Sequence, residues 1–337
     1  MRRRTRWLAL LAAVLVLGAA CGGDDGGGGG DGGGGTGGGE TQALRVAYAS
    51  DLDPNDIADQ FGIQAAGAEV IELTEDSAVI AGLIRGDVDV GNIGLTEAIK
   101  ASQTGVPIKI FFVAQRRFEF VMVSQPDITS FDQLAGKRVA YHAPGSGTEI
   151  LQRVLVRQYD PALEDKINWI VLPESPNRAA AMIAGEIDVT SLEFADVLTL
   201  QSEGDYNIIG TWGDIEGPSS DALSTVWVAS EEFYDQNKDR LQELAVDLAA
   251  GYASFYEDKQ AWVDLASSLL PDVDVSRLEQ SYDFYLEQEM YPKAGEAPLT
   301  PELWAGMDGF FIEIGEYEDP ASDEIVDYDI IQAASGL

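Results

Sequence analysis

The apolar and polar positions of this chain follow two alternating periods, which predicts an α/β protein. Short apolar runs at 44–48 and 108–113 predict strands, whereas the apolar positions of 150–155 recur at the spacing of a helix. From residue 231 onward the pattern changes to amphipathic helices, at 233–252, 261–270 and 275–290. This order predicts mainly parallel sheets flanked by helices, followed by a helical C-terminal part.

The strand and helix pattern occurs twice. Arg-Val-Ala-Tyr at 45–48 recurs at 138–141, and the segment 81–90 is matched by 180–189. In both copies of the second pair a helix ends at a glycine suited to a left-handed C-cap, and a short strand follows at once. The repeat predicts two lobes with the same strand order, whose ligands bind where the carboxyl ends of the strands face each other across a cleft.

One of these strand ends combines a glycine turn with the start of a helix, at 141–149. Ser146 and Glu149 have the spacing of a reciprocal capping box. Backbone amides and the helix dipole at Ser146, Gly147 and Thr148 could hold a carboxylate, sulfonate or phosphate group. The alternative is an ordinary capped helix after a loop.

The amino terminus predicts export and a lipid anchor. Arginines in the first six residues precede an apolar run at 7–17 and small residues before Cys21, so 1–21 is predicted to be a lipoprotein signal with Cys21 as the lipid site. An uncleaved anchor helix is the alternative. Residues 22–42 are rich in glycine and aspartate, which predicts a disordered tether. We therefore expect an extracytoplasmic protein anchored to the cell membrane, and one without disulfides because Cys21 is the only cysteine.

The charge and the scarcity of reactive side chains restrict the function. The chain has 58 Asp and Glu against 21 Lys and Arg, which argues against a nucleic-acid partner and raises the hypothesis of an adaptation to salt. His142 is the only histidine, and no zinc-protease, cysteine-cluster or P-loop motif is present. We therefore expect no metal, no cofactor and no catalytic residue. His142 lies beside a Gly-Ser loop and is expected to contact a ligand; the alternative is that it acts as a general base.

Three segments carry a resemblance to a known family. The stretch 128–141 with its Gly-Ser turn, the stretch 174–188 and the closing Ile-Val-Asp-Tyr at 325–328 resemble solute-binding lipoproteins of bacterial ABC importers. The type is that of nitrate, sulfonate and taurine, related to the thiamine-pyrimidine binders. The resemblance covers the chain from about residue 43 and implies a two-lobed, type II periplasmic-binding-protein-like fold. Its implied parts are lobe 1 (43–121), lobe 2 (122–228) and a C-terminal part returning to lobe 1 (229–337).

The resemblance also implies a function. A monomer of this type would capture a small polar, zwitterionic or anionic molecule between its lobes by hinge closure and deliver it to the membrane subunits of an ABC permease. An enzyme of the same fold, acting in thiamine- or menaquinone-type cofactor synthesis, is the alternative. A scaffold or adhesion protein with an unused cleft is a third.

Individual residues take implied roles from the same resemblance. Ser146, Gly147 and Thr148 match the loop that grips the ligand's polar head. Glu193 matches a position that could receive a ligand amine, or it is a structural carboxylate at the hinge. Asn92 and Thr96 lie at the matching edge of the first lobe, although Thr96 could instead only cap a helix. Arg116 either counters a ligand anion or belongs to an exposed basic pair.

The first lobe departs from the family pattern. The segment 56–64 is short and lacks the usual aromatic-rich stretch, and Asp51, Asp53 and Asp56 stand there instead. This difference favours a cationic or zwitterionic ligand held by carboxylates on one lobe and by amides on the other. A solvated turn that starts a helix is the alternative.

Overall fold

The computed structural model describes residues 42–336, so the predicted signal, Cys21 and all but the end of the tether lie outside it. The strands in this part of the chain are β1 (Arg45–Tyr48), β2 (Glu69–Glu72), β3 (Val90–Gly94), β4 (Ile108–Gln115), β5 (Val121–Ser124), β6 (Arg138–Tyr141), β7 (Asn168–Val171), β8 (Val189–Leu192), β9 (Asn207–Thr211) and β10 (Thr225–Ser230). The helices are α1 (Ile57–Ala65), α2 (Asp76–Arg85), α3 (Leu95–Gln103), α4 (Gly147–Tyr159), α5 (Ser175–Ile183), α6 (Phe194–Glu203), α7 (Glu231–Glu257), α8 (Lys259–Leu269), α9 (Val275–Glu287), α10 (Pro301–Ile314) and α11 (Tyr328–Ala334).

Two five-stranded sheets organise these elements. The first has the order β2-β1-β3-β10-β4 and the second the order β7-β6-β8-β5-β9. In each sheet one strand, β10 or β5, runs antiparallel to both of its neighbours while the others run in one direction. The predicted α/β class with mainly parallel sheets is confirmed.

The repeat in the sequence corresponds to a repeat in the structure. Arg45 donates from its backbone N and its Nε to Oδ2 of Asp89, at 2.9 and 3.1 Å. Arg138 and Asp188 make the same two hydrogen bonds at 2.8 and 3.0 Å. In both lobes the pair joins the start of one strand to the residues that lead into the neighbouring parallel strand. The same charge-assisted contact therefore fixes β1 to β3 and β6 to β8.

Two chain segments connect the sheets, the first between β4 and β5 and the second between β9 and β10. We call the first sheet with its helices lobe 1 and the second lobe 2. The predicted end of lobe 2 at residue 228 falls inside β10, which is a strand of the first sheet. The strand that follows each connecting segment lies inside the sheet that the chain enters: β5 lies between β8 and β9, and β10 lies between β3 and β4.

The C-terminal helices pack mainly on lobe 1. Helix α7 crosses α1 at very close range: a Cβ added at Gly62 would lie 2.6 Å from the backbone of Leu248, and one at Gly251 2.8 Å from the backbone oxygen of Ala58. Glycine is required at this crossing because any side chain would push the two helices apart. Helix α9 differs, since it also contacts α6 of lobe 2. Among residues 42–336, no helix combines the length and hydrophobicity needed to cross a membrane.

Candidate functional site

A cavity of about 430 Å³ lies between the two lobes. Lobe 1 contributes the ends of β1, β3 and β4 and the start of α3, and lobe 2 contributes the loop between β6 and α4. The first connecting segment forms part of the wall through Phe118, Glu119 and Phe120, and the start of β10 adds Thr225. The cavity therefore lies at the strand ends where the repeat predicted a ligand.

The lobe 2 wall is the loop before α4, and its hydrogen bonds differ from the predicted capping box. The Ser146 hydroxyl accepts from Glu149 N, as predicted. The Glu149 carboxylate does not return to Ser146; it accepts from the backbone N of Gly145 at 2.7 Å. A carboxylate of the chain itself thus occupies one amide of this turn. Ser146 and Gly147 line the cavity, and a Cβ at Gly147 would meet the Phe118 ring at 2.5 Å.

His142 lines the cavity beside this loop, and a hydrogen bond to the backbone fixes its ring. Its Nδ1 accepts a hydrogen bond from the backbone N of Glu174 at 3.1 Å. Burial, with a contribution from the Arg178 charge, lowers the pKa of His142 below its ordinary value. The neutral ring is consequently fixed in one tautomer, with Nε2 carrying the proton.

Thr148 supports the loop from beneath. Its side chain is 1% exposed, and its hydroxyl accepts from the backbone N of His142 at 2.9 Å. It also lies 2.9 Å from the Ser146 hydroxyl. The structure therefore places Thr148 behind Ser146 and outside the cavity lining, where it orients residues that do line it.

The lobe 1 wall includes both predicted residues of the β3–α3 edge. Asn92 lines the cavity and donates from Nδ2 to the Asp59 carboxylate at 3.2 Å. Thr96 also lines it, from the first turn of α3. The alternative that Thr96 caps this helix is wrong, because the N-cap residue is Gly94 and no side chain caps it.

A buried hydrogen-bond network supports this wall from inside lobe 1. The fully buried Asp59 accepts from Tyr252 at 2.6 Å and from Tyr48 at 3.1 Å, in addition to the bond from Asn92. Burial raises the pKa of Asp59 to about 7, although these three hydrogen bonds oppose the rise. The network fixes the Asn92 side chain at the cavity wall.

Carboxyl groups from both lobes meet next to the cavity. Asp56 and Glu119 line it, and Asp53 and Glu193 face each other across the cleft at hydrogen-bonding range. Burial and the Asp56 charge raise the pKa of Asp53 to about 7, and burial and the Asp53 charge raise the pKa of Glu193 to about 8. Burial first, and the neighbouring carboxylates second, raise the pKa values of Asp56 and Glu119 well above their ordinary range. These four residues form what we call the carboxyl cluster.

The predicted site residues thus separate into two groups. Those that line the cavity are His142, Ser146, Gly147, Asn92, Thr96 and Asp56. Those that do not line it are Thr148, Glu193, Asp53, Asp51 and Arg116. Glu193 and Asp53 lie at its margin in the carboxyl cluster, whereas Asp51 is exposed and Arg116 pairs with Glu296 at 3.4 Å.

Several lining residues were not predicted. Among them are Tyr48, Asp76, Glu97, Phe118, Glu119, Phe120, Ser224 and Thr225. Tyr48 ends β1, so the topology that predicted the cleft also brings it to the cavity. The Phe118-Glu119-Phe120 stretch gives no such signal, because it belongs to a connection without a regular period.

Comparison with known proteins agrees with the fold. One curated relative is the taurine-binding periplasmic protein of Escherichia coli (strain K12), which is 23% identical over 261 residues, covering 72% of this chain and 78% of that protein. The ligand-binding component of an ABC-type import system from Staphylococcus aureus, solved with zinc bound, has a TM-score of 0.69 at 17% identity and covers 87% of this chain and 99% of that one. The aliphatic sulphonate binding protein SsuA from Escherichia coli has a TM-score of 0.66 at 16% identity, with coverages of 84% and 91%.

The same fold also occurs in an enzyme. The desulfurization enzyme DSZB has a TM-score of 0.62 at 14% identity and covers 87% of this chain and 99% of its own. These structures confirm the predicted two-lobed, periplasmic-binding-protein-like fold. The family model described as NMT1/THI5 like matches residues 64–261, more than half of the chain. The chain therefore belongs to the NMT1/THI5-like family.

Proposed function

We propose that this protein is the extracytoplasmic solute-binding component of an ABC importer. The observation that carries the proposal is the cavity between two lobes joined by two connecting segments, with walls from both lobes. Its volume suits a small molecule. Relatives named for taurine, sulphonate and import-system ligands support the same role.

The ligand is a small polar, zwitterionic or anionic molecule, and the lobes close on it as a hinged trap. Ser146, Gly147 and His142 bind it from lobe 2, with Thr148 holding their loop. Asn92 and Thr96 bind it from lobe 1. The closed form then docks on the membrane subunits of a permease, while a lipid on Cys21 and the segment 22–42 keep the monomeric protein near the membrane.

The site's chemistry supports binding in preference to catalysis. A serine nucleophile needs a base within hydrogen-bonding range. Among the described residues, the Ser146 hydroxyl contacts the Thr148 hydroxyl and backbone N–H groups, and none of its hydrogen bonds is to a histidine or a carboxylate. The neutral His142 ring is held by a backbone amide, without a carboxylate to orient it as a base.

A thermal-shift panel tests the proposal. The purified protein is heated with amino acids, sulfonates, pyrimidines and inorganic anions, each in separate samples. One class should raise the melting temperature, because a ligand that binds only the folded state stabilises it. The ligand must be recovered unchanged after incubation. If no compound shifts the melting temperature, the importer function fails; if a compound binds and is converted, the protein is an enzyme.

A further inference from the structure

The lobe 1 side of the cavity holds polar atoms that have no partner. Among the described residues, Oδ1 of Asn55, Oε2 of Glu119 and Oγ1 of Thr225 are buried and make no hydrogen bond. All three residues line the same cavity, and Asn55 is only 8% exposed. A buried acceptor without a donor costs about 1–3 kcal/mol. The Asn55 oxygen and an ionised Glu119 oxygen only accept, and the Thr225 hydroxyl can accept as well as donate, so one donor-rich group of a ligand would satisfy all three atoms.

The charges around this wall favour a cation. Five of the residues that line the cavity are acidic, namely Asp56, Glu75, Asp76, Glu97 and Glu119, and none of the lining residues in the described part is Lys or Arg. The nearby cations are already engaged. Lys100 pairs with Glu97 and Glu316, and the Arg178 guanidinium donates to the backbone oxygens of Ser191 and Leu172. A positive charge that balances these carboxylates when they are ionised would therefore come from the ligand.

An organic cation matches this wall better than a metal ion does. Within residues 42–336, no three His, Cys, Asp or Glu side chains lie close enough together to hold a metal. The rings of Phe118 and Phe120 border the same cavity, and aromatic faces attract ammonium and guanidinium-like groups. Acceptors that are spread apart and flanked by rings suit a group with several N–H donors.

We infer that the molecule bound in this cavity carries a cationic nitrogen group, an alkylammonium or an amidinium, and that Asn55, Asp56, Glu119 and Thr225 hold it. This inference rests on the proposed solute-binding function and specifies the substrate class. Ser146 and Gly147, which line the same cavity, contact the remainder of the molecule. An anionic group there is compatible with the inference, so a zwitterion is included, whereas a ligand with only an anionic group is excluded.

The protonation of the carboxyl cluster gives the cation a distinct signature. Burial and the neighbouring carboxylates raise the pKa values of Asp56 and Glu119 well above their ordinary range, which favours their protonated forms when no cation is present. Asp53 and Glu193 share this environment. The Asp196 charge also raises the pKa of Glu193, and the Arg178 charge opposes this rise. A bound cation favours the ionised carboxylates, so its binding must release protons.

The test uses pairs of compounds that differ mainly in the cationic group: taurine with isethionate, ethanolamine with ethylene glycol, and benzamidine with benzamide. Each compound is added at equal concentration and constant ionic strength to the full-length protein at pH 8, and melting temperatures are measured. Calorimetry in phosphate then gives the dissociation constant, and a pH-indicator dye in weakly buffered solution gives the number of protons released for each binder. The variant is Glu119→Gln, and the matched control is Glu203→Gln, a change of an exposed residue at the end of α6.

The expected result is stabilisation by the cationic member of at least one pair and not by its partner. Glu119→Gln should weaken that binding by about tenfold or more and reduce the proton release, because it removes a charge-assisted hydrogen bond. Glu203→Gln should leave both unchanged. If Glu119→Gln does not fold, Asn55→Leu replaces it, since it removes the unpaired Oδ1.

Two outcomes overturn the inference in different ways. If isethionate stabilises the protein as well as taurine does, or if Glu119→Gln binds the cationic compound as tightly as the wild type, the cationic group is not the one recognised, while the solute-binding function stands. If none of the six compounds binds and the broader panel also fails, the proposed function fails and the inference falls with it.

Discussion

At the scale of single residues, Gly147 shows how the first connecting segment is fitted to lobe 2. A Cβ at this position would lie 2.5 Å from the Phe118 ring and 2.7 Å from the Phe120 ring. We expect Gly147→Ala to destabilise the protein by about 1–3 kcal/mol, because both rings must move in a packed region. The measurement is urea-induced unfolding.

The matched control for this variant is Gly306→Ala, in the exposed interior of α10, where an added Cβ has no neighbour within 4 Å. It should stabilise the protein by up to about 1 kcal/mol through helix propensity alone. Equal unfolding midpoints for Gly147→Ala and the wild type would show that the rings and the loop are not in contact in solution.

The sequence predicted individual site residues where topology alone decides their position. His142 and Ser146 reach the cavity because they follow β6, and Asn92 reaches it from within β3, since the carboxyl ends of these strands meet. The unpaired acceptors of Asn55 and Glu119 could not be predicted, since their burial depends on how the connecting segment packs between the lobes. Thr148 was predicted to bind the ligand, but its side chain lies outside the cavity lining because its hydroxyl accepts from the backbone N of His142 within the same loop.

At the scale of elements, α9 forms a contact between the lobes. Phe284 of this helix stacks on Phe194 of α6, with ring centroids 4.0 Å apart and an interplanar angle of 1°. If the lobes separate to release ligand, this contact exists only in the closed form. Phe284→Ala should therefore weaken the binding of a compound identified by thermal shift by about threefold to tenfold, because an aromatic pair contributes about 1 kcal/mol.

Calorimetric titration of that compound measures the effect. Leu286→Ala is the matched control, since Leu286 lies on the same helix and is 38% exposed. It should leave the dissociation constant unchanged. A Phe284→Ala protein that is less stable but binds with wild-type affinity would show that the stack supports the fold without acting on closure.

The predictability of the elements follows the same physics. Gly86 ends α2, and Gly185 lies just beyond the end of α5; both have the left-handed conformation that was predicted. The sequence could predict this because the conformation of such a residue is a local property. The amphipathic pattern at 275–290 predicted α9 but not its contact with lobe 2. Helical periodicity identifies a buried face and does not identify what covers it.

At the scale of the whole molecule, the carboxyl cluster between the lobes makes the free energy of unfolding depend on pH. Asp53 and Glu193 have pKa values of about 7 and about 8 in the folded protein, far above those of an unfolded chain. The folded state therefore binds more protons than the unfolded state between about pH 4 and pH 8. The stabilisation from this pair is fully present below about pH 4 and is lost as the pH rises through 7 and 8.

We accordingly expect a lower free energy of unfolding at pH 8 than at pH 5, with Asp53 and Glu193 together contributing on the order of 1 kcal/mol to the difference. The acidic surface adds repulsion in the same direction, so urea unfolding is measured in 1 M NaCl, which screens exposed charges much more than buried ones. The double variant Asp53→Asn with Glu193→Gln should reduce the difference between the two pH values. The control is Asp205→Asn, a substitution of an exposed residue that should leave the difference unchanged. If the double variant also leaves the difference unchanged, the pH dependence comes from the surface charges and not from the cleft.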